Sequence, residues 1–349
     1  MNESVFLRAC RREPTVYTPV WLMRQAGRYM AEYRALRERV PFLTLCKTPN
    51  LAAQVTVEAV ERLGVDAAII FADILLIVEP MGVGLEFSKG DGPVIHRPVR
   101  SGADVDKLRE DDPRATVPFV FEAARKARES LPAHIPLIGF SGAPFTVASY
   151  MIEGGGSRNY IETKRLMYND PGAWRALMER LVRIITVYIN GQIAEGAQAV
   201  QLFDSWVGCL SPADYRTFIS PHMKTLFAGI SPGTPVIHFG TDTSGLLELM
   251  AEAGGTVLGV DWRIDLDVAW RRIGYDRAVQ GNLDPVTLFA SQAEIRKQVQ
   301  RILDMTHGRP GHIFNLGHGI LPQTPVGNVI ALVEMVHEIS SELRMKNQE

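Results

Sequence analysis

Short apolar segments recur along the chain and are separated by longer amphipathic segments. Eight of the apolar segments show little polar alternation, which is typical of strands that are buried on both faces. They are Thr18–Met23, Ala67–Ala72, Ile135–Phe140, Ala199–Phe203, Pro235–Phe239, Val257–Val260, Ala278–Gly281 and His312–Leu316. The amphipathic segments predict helices, chiefly Asn50–Leu63, Ala115–Ser130, Pro171–Glu195, Pro212–Ile230 and Val326–Arg344. Eight strands that alternate with helices predict a parallel (β/α)8 barrel.

One segment interrupts this alternation after the second predicted strand. Leu85–Val99 has the pattern of a β-hairpin, in which Leu85–Phe87 and Val94–His96 flank the turn Lys89-Gly90-Asp91-Gly92. No internal repeat or low-complexity linker divides the chain. We therefore predict one α/β domain over residues 1–349, a single-domain TIM barrel with a hairpin insertion after strand 2.

Composition narrows the class of protein. The chain has 349 residues, 46% of them hydrophobic, and a net charge of −2, which excludes an overall basic field for nucleic acid. Cys10, Cys46 and Cys209 form no Cys-x-x-Cys pair, so we expect neither a disulfide framework nor a thiolate zinc site. Residues 1–4 lack the pattern of a signal peptide, and no apolar run reaches membrane-spanning length, so we expect a cytoplasmic protein.

Polar residues follow the predicted strands, at the barrel face where active sites lie. They are Arg24, Arg28, Asp73, Ser141, Asp204, Ser205, His238, Asp261, Asn282 and His318. Because the carboxyl ends of parallel strands meet at one face, we expect these side chains to surround one site.

The pair Arg24 and Arg28 is the most informative of these features. Guanidinium groups stay charged at neutral pH and bind carboxylates in a bidentate manner, so the pair predicts a site for an anion with several carboxylates or phosphates. If residues 24–37 are helical, the two side chains share one face. The alternative is a helix start whose arginines form ion pairs with Glu32 or Glu38.

Asp73 follows a strand that should be buried, where a carboxylate is costly unless donors or a cation satisfy it. It can accept hydrogen bonds from ligand N–H groups and stabilise a cationic intermediate, or it can cap the next turn.

Tyr150 can donate to a carboxylate. His318 can orient a carboxylate or act as an acid or base, and a purely structural histidine is the alternative. The run Gly154–Gly156 is either an anion cradle or a flexible loop.

Several motifs match a known family. They are Arg24-Gln25-Ala26-Gly27-Arg28-Tyr29, Ile70-Phe71-Ala72-Asp73-Ile74-Leu75, Gly142-Ala143-Pro144-Phe145-Thr146, Met151-Ile152-Glu153-Gly154-Gly155-Gly156-Ser157, Gln201-Leu202-Phe203-Asp204-Ser205 and Asn315-Leu316-Gly317-His318-Gly319. In this order, and over nearly the whole chain, they resemble the uroporphyrinogen decarboxylase family. The usual phosphate-loop, dinucleotide, zinc-protease and serine-hydrolase motifs are absent, so no motif requires a cofactor.

The resemblance implies a distorted (β/α)8 barrel that forms a homodimer and uses neither a metal nor an organic cofactor. It implies conversion of the four acetate side chains of uroporphyrinogen III to methyl groups, giving coproporphyrinogen III and CO2 in tetrapyrrole (haem) biosynthesis, with haem or another tetrapyrrole as the end product. By motif position it implies Asp73, Arg24 and Tyr150 as catalytic residues, with Asp73 bound to the pyrrole N–H groups. The implied substrate-binding residues are Arg24, Gln25, Ala26, Gly27, Arg28, Asp73, Tyr150, Ser205 and His318.

This chemistry agrees with the residues. The substrate carries eight carboxylates that suit the arginines and four pyrrole N–H groups that suit a central carboxylate. Protonation of a pyrrole carbon makes the substrate its own electron sink, so loss of CO2 needs no cofactor. The proton donor stays open between a desolvated Arg24, a bound water and a substrate carboxyl, because an arginine with a pKa near ~13 is a poor acid.

Three alternatives have different chemistry. A cobalamin-linked methyltransferase of the same superfamily would hold zinc through a His-x-Cys pair and a later Cys, where this chain has His238-Phe239-Gly240 and Gly317-His318-Gly319. A non-catalytic tetrapyrrole carrier would use the same arginines and Asp73 without reaction. A sugar-phosphate barrel enzyme would need a glycine-rich phosphate site after the last two strands, which these sequences fit poorly.

Overall fold

A computed structural model describes residues 4–88 and 92–346 of the chain. The strands of these residues are β1 (Ala68–Ile69), β2 (Leu85–Ser88), β3 (Gly92–Ile95), β4 (Leu137–Gly142), β5 (Ala199–Asp204), β6 (Val236–Gly240), β7 (Val257–Gly259), β8 (Ala278–Leu283) and β9 (His312–Leu316). Their helices are α1 (Val5–Cys10), α2 (Ala31–Arg39), α3 (Phe42–Cys46), α4 (Pro49–Leu63), α5 (Gly102–Asp106), α6 (Pro113–Thr116), α7 (Pro118–Ser130), α8 (Pro144–Glu153), α9 (Ile161–Asn169), α10 (Pro171–Ala194), α11 (Pro212–Asp214), α12 (Ser220–Gly229), α13 (Leu247–Ala253), α14 (Leu266–Ile273), α15 (Gln292–Asp304) and α16 (Val326–Lys346).

All strands except β2 and β3 form one parallel sheet, in which each strand pairs with the next one along the chain. The predicted first strand, Thr18–Met23, fills the remaining position but makes only one parallel bridge, between Val20 and Phe314. The Val20 N–H donates to the Asp66 carboxylate (2.7 Å), which takes the place of a regular ladder contact. The Asp66 N–H in turn donates to the Val20 carbonyl (2.8 Å), so this segment joins β9 to the start of β1. The eight-unit α/β barrel is confirmed, and its first strand is mostly irregular.

The hairpin insertion is confirmed between β1 and β4. β2 and β3 pair antiparallel, with Leu85 opposite Ile95 and Phe87 opposite Pro93. Three residues of the predicted turn, Lys89, Gly90 and Asp91, lie outside the described residues, as do residues 1–3 of the segment expected to lack a signal peptide. Among the described residues, no helix combines the length and the apolar character that a membrane crossing needs.

In the sequence Asp170-Pro171 and Ser211-Pro212, a capping residue precedes proline, and a helix starts at each of these places. Asp170 accepts the Ala173 N–H at the start of α10, and Ser211 accepts the Asp214 N–H at the start of α11. The stretch 24–37 behaves differently, because α2 begins only at Ala31. The shared helical face expected for Arg24 and Arg28 is therefore not present.

The amino-terminal end of the barrel is closed by α1. Its residues Phe6, Ala9 and Cys10 are buried in one apolar cluster with the inward-facing residues at the starts of the strands. Those strand residues are Ala67, Ile138, Ala199, Ile237, Val257, Ala278 and Ile313. The open end of the barrel is therefore the carboxyl end of its strands.

The middle of the barrel holds a polar layer, and the layer nearer the open end is aromatic. The Trp21 indole donates to Gln280 (2.9 Å), whose side-chain amide donates to Gln201 (3.0 Å). Further along β5, the ring of Phe203 lies edge-on to Phe140 (5.5 Å between centroids) and is partly exposed. Aromatic side chains thus form an apolar floor under the open end.

Candidate active site

Arg24 and Arg28 lie in a loop that is fixed by the side chain of Gln25. Arg24 has a left-handed backbone conformation with φ of 61°. The buried Gln25 side chain accepts the Leu22 N–H (3.2 Å) and donates to the Ala67 carbonyl (3.1 Å). These bonds stop a helix from starting here and hold both arginines at the end of the barrel where the strands finish.

Neither arginine is neutralised by its neighbours. Both side chains are exposed, and within residues 4–88 and 92–346 neither guanidinium forms an ion pair. Glu32, one of the partners expected from the alternative, lies 4.0 Å from Arg62 instead. Two cations that have no ion-pair partner among the described residues form a site for carboxylates or phosphates from outside.

Asp73 lies just beyond β1 and is partly buried. One oxygen, Oδ1, accepts the Leu75 N–H (2.8 Å) and so caps the next turn. Burial raises the pKa of Asp73 to about 6, whereas the Leu75 N–H and the charge of Arg24 act in the opposite direction. The group is mainly ionised at neutral pH, and its second oxygen is free to accept a hydrogen bond from a ligand.

Tyr150 belongs to the same site as Asp73 and Arg24. It lies on α8 and is partly exposed. Burial, together with the negative charge of Asp73, raises the pKa of Tyr150 to about 12, and the charge of Arg24 opposes this. The phenol therefore stays protonated at neutral pH and is a hydrogen-bond donor.

His318 follows β9 and is neutral in this site. Its Nδ1 accepts the Gly319 N–H (2.7 Å), so Nε2 carries the ring proton and is available to donate. Burial lowers the pKa of His318, and the positive charge of Arg24 lowers it further. Gly319 lies under Arg24, because a Cβ added at this glycine would come 2.5 Å from the arginine Cδ.

Ser205 follows β5 and is partly exposed, as expected for a residue that lines a cleft. The remaining polar residues at the strand ends are buried, and of these Asp261 is close enough to His318 for its charge to act on that ring. Asp204 and His238 are fully buried 3.6 Å apart, and Asn282 donates to the carbonyl of Asp261. Asp204 lies on the same face of its strand as Leu202, whose side chain packs in the core outside the barrel. We therefore correct the expectation that all polar strand ends face one site; Ser141, Asp204, His238, Asp261 and Asn282 are buried.

Gln25 and Ala26 have other uses for their side chains. Gln25 fixes the arginine loop, as described above, and Ala26 lines a surface groove between α2 and α4 together with Met30 and Val55. A ligand contact with residues 25–27 is therefore a prediction about their backbone. Nothing in the described residues places three or more His, Cys, Asp or Glu side chains together as a metal site.

Sequence reasoning missed Trp206. Its indole stacks on the Tyr150 ring, with 3.8 Å between centroids and 29° between planes. A signal was present, because an aromatic residue directly follows the polar strand end Asp204-Ser205. The cleft thus has an aromatic wall beside its charged groups.

Comparisons with known proteins identify the family. A sequence model for the family described as uroporphyrinogen decarboxylase matches residues 1–339. A protein of that name from Carboxydothermus hydrogenoformans is 58% identical over 342 residues, which are 98% of this chain and 97% of that protein. Another from Sorangium cellulosum is 57% identical and covers 96% of both chains.

One solved structure, a methyltransferase from Methanosarcina mazei, matches with a TM-score of 0.80 over 95% of this chain and 97% of that chain. Its sequence identity is 21%, so this likeness shows the fold alone. The family match covers residues 1–339, which is nearly the whole chain. The chain therefore belongs to the uroporphyrinogen decarboxylase family.

Proposed function

We propose that this protein decarboxylates the four acetate side chains of uroporphyrinogen III, releasing CO2 and coproporphyrinogen III for haem biosynthesis without a cofactor. One observation carries the proposal. The carboxylate of Asp73 shares a cleft with Arg24, which forms no ion pair with the described residues, and with the neutral donors Tyr150 and His318. This arrangement complements a ligand with N–H groups at its centre and carboxylates at its edge.

Each group has a role that its surroundings support. Asp73 accepts the pyrrole N–H groups, and Arg24 and Arg28 bind substrate carboxylates. Tyr150, Ser205 and His318 add hydrogen-bond donors, and the backbone of residues 25–27 adds further contacts. We assign Asp73, Arg24 and Tyr150 to catalysis because the three lie within electrostatic reach: the charge of Arg24 lowers the pKa of Asp73, and the charges of Asp73 and Arg24 both act on the pKa of Tyr150.

The reaction consumes one proton for each acetate carboxylate. Protonation of a ring carbon gives a cationic pyrrole, and the C–C bond to the carboxylate then breaks, so that its electron pair neutralises the cation. The resulting exocyclic methylene takes a second proton, and the ring carbon loses the first, which leaves a methyl group. Asp73 stabilises the cationic states, and it does so more strongly because the floor of the cleft is apolar.

Two further properties belong to this proposal. We propose a homodimer, which the family resemblance implies and which the exposed Ile161 and Tyr168 on one face of α9 support. We also propose a cytoplasmic protein that does not bind nucleic acid, in line with its net charge of −2. Size-exclusion chromatography with light scattering measures the molar mass of the protein and so tests the dimer, and the mass of a monomer would contradict it.

The decisive experiment is anaerobic incubation of the purified, metal-chelated protein with uroporphyrinogen III. The porphyrins are then oxidised and separated by chromatography. We expect a series from eight carboxylates to four. Unchanged octacarboxylate, with circular dichroism of a folded protein, would favour the carrier or the methyltransferase, and measurement of bound zinc and thiol methylation would separate these two.

A further inference from the structure

Trp206 makes two contacts with one face of α8, one through its backbone and one through its ring. Its backbone N–H donates to Thr146 Oγ1 (3.2 Å), and its ring stacks on Tyr150 with 3.8 Å between centroids. Thr146 and Tyr150 are four residues apart on the helix, so they lie on the same face one turn from each other. The residue is thus held at its backbone by one side chain while its ring covers the next.

A buried carboxylate orients the hydroxyl group of Thr146. The Thr146 hydroxyl donates to Asp204 Oδ1 (3.0 Å), and the side chain of Asp204 is fully buried. Since the single hydroxyl proton of Thr146 is used on Asp204, its oxygen is left to accept the Trp206 N–H. The orientation of this contact is therefore determined from inside the fold.

A second tyrosine packs against the Trp206 ring. Tyr160 lies edge-on to the Trp206 ring, with 5.3 Å between centroids and 64° between planes, and it is 8% exposed. Its backbone N–H donates to Ser157 (3.0 Å) in the loop after α8. The indole therefore has a neighbour at its edge as well as on its face, which restricts its rotation.

We infer that Trp206 is a positioning residue for Tyr150, holding the phenol in the orientation that faces Asp73 and Arg24. This inference rests on the proposed function. The stacked indole occupies the space into which the Tyr150 ring would otherwise turn. The support for it runs from Asp204 through Thr146 to Trp206, and the side chains of Asp204 and Thr146 are fully buried.

The test compares Trp206→Leu, which removes the stacking ring, with Trp206→Phe, which keeps an aromatic face. Conversion of uroporphyrinogen III is measured for both variants in the native chain and in a Tyr150→Phe background. We expect Trp206→Leu to lower kcat by about 10- to 100-fold with a small change in KM, because misorientation of a reacting group is costly. Trp206→Phe should restore kcat to within about threefold, since it keeps the stacked contact.

In the Tyr150→Phe background, Trp206→Leu should cause no further loss, because the hydroxyl that it positions is already absent. The control is Tyr275→Leu, which removes an aromatic contact with Arg309 (4.3 Å) next to the start of β8 and should leave kcat unchanged. If Trp206→Leu lowers kcat equally in both backgrounds, or leaves kcat unchanged in the native chain, the inference is overturned while the proposed function stays intact. An inactive native protein would instead overturn the function and the inference together. If Trp206→Leu does not fold, Trp206→Met, which also lacks the stacking ring but fills more of the space, is compared in the two backgrounds and decides in the same way.

Discussion

The two oxygens of Asp73 have different surroundings. Oδ1 is bound by the Leu75 N–H, which orients the group, and the other oxygen is left for a ligand. Burial makes the ionised form costly in the empty cleft, as the raised pKa of about 6 indicates. A ligand that brings N–H groups to this carboxylate relieves that cost, so the same burial that destabilises the group favours binding of a pyrrole macrocycle.

Asp73→Asn keeps the shape and the bond to Leu75 but removes the charge, so we expect almost no turnover from a folded protein. We also expect the variant to be more stable than the native protein above pH 6, by about 1–3 kcal/mol. Folding raises the pKa of Asp73 from 3.8 to about 6, so its ionised form is penalised only in the folded state, and native stability falls as the pH rises between these values.

Urea unfolding of both proteins at pH 4 and pH 7.5, with the porphyrin assay at the higher pH, measures these effects. The difference in the free energy of unfolding should be clearly larger at pH 7.5 than at pH 4. A difference that does not depend on pH, or normal turnover by the asparagine variant, would contradict the role given to this carboxylate.

Arg28 should not tolerate lysine, although the charge is kept. Arg28→Lys loses the planar fork that binds a carboxylate through two N–H groups, so we expect kcat/KM to fall by about tenfold or more. Arg39→Lys is the matched control, because Arg39 is also exposed and lies in the last turn of the neighbouring α2. Equal and small effects of both substitutions on kcat/KM would show that Arg28 has only a structural role.

At the scale of elements, two loops are tied together at the rim of the cleft. The Met23 N–H donates to the side chain of Asn315 (3.2 Å), and the Ile320 N–H donates to the Met23 carbonyl (2.9 Å). The arginine loop and the loop after β9 are therefore one structural unit. A change in one of them is transmitted to the other.

Gly319→Ala tests this coupling. The added methyl group would lie 2.5 Å from Cδ of Arg24, so the arginine must move, and we expect KM for uroporphyrinogen III to rise by about 3- to 30-fold. The control is Gly327→Ala in α16, where an added Cβ meets nothing within 4 Å. An unchanged KM in Gly319→Ala, with the same thermal stability as the control variant, would show that Arg24 does not depend on this glycine.

The helices and strands were largely predictable from the sequence. The side of the strand to which each end residue points was not predicted. Buried runs and proline-capped helix starts have local signals, and the structure confirms them. The position of Asp204 and His238 depends on strand parity, because alternate residues point to opposite sides of a strand. Asp204 shares its side with Leu202 and His238 with Val236, so counting in steps of two would have moved both residues away from the cleft.

At the scale of the whole molecule, the features that the sequence did not predict depend on distant partners. The irregular first strand results from Val20 bonding to Asp66, which is 46 residues away in the chain. The helix α1, which closes the amino-terminal end of the barrel, has six residues, and these are too few to show a helical period. Local patterns therefore predict the repeating unit of the barrel, but the way in which it is closed depends on long-range contacts.

The closed amino-terminal end of the barrel has a kinetic consequence. With Phe6 and its neighbours filling one end, molecules that reach Asp73 must arrive and depart through the same opening. Release of one product molecule and binding of the next substrate therefore cannot overlap in time. A product that has not left excludes the next substrate, so the rate of product release sets an upper limit on turnover.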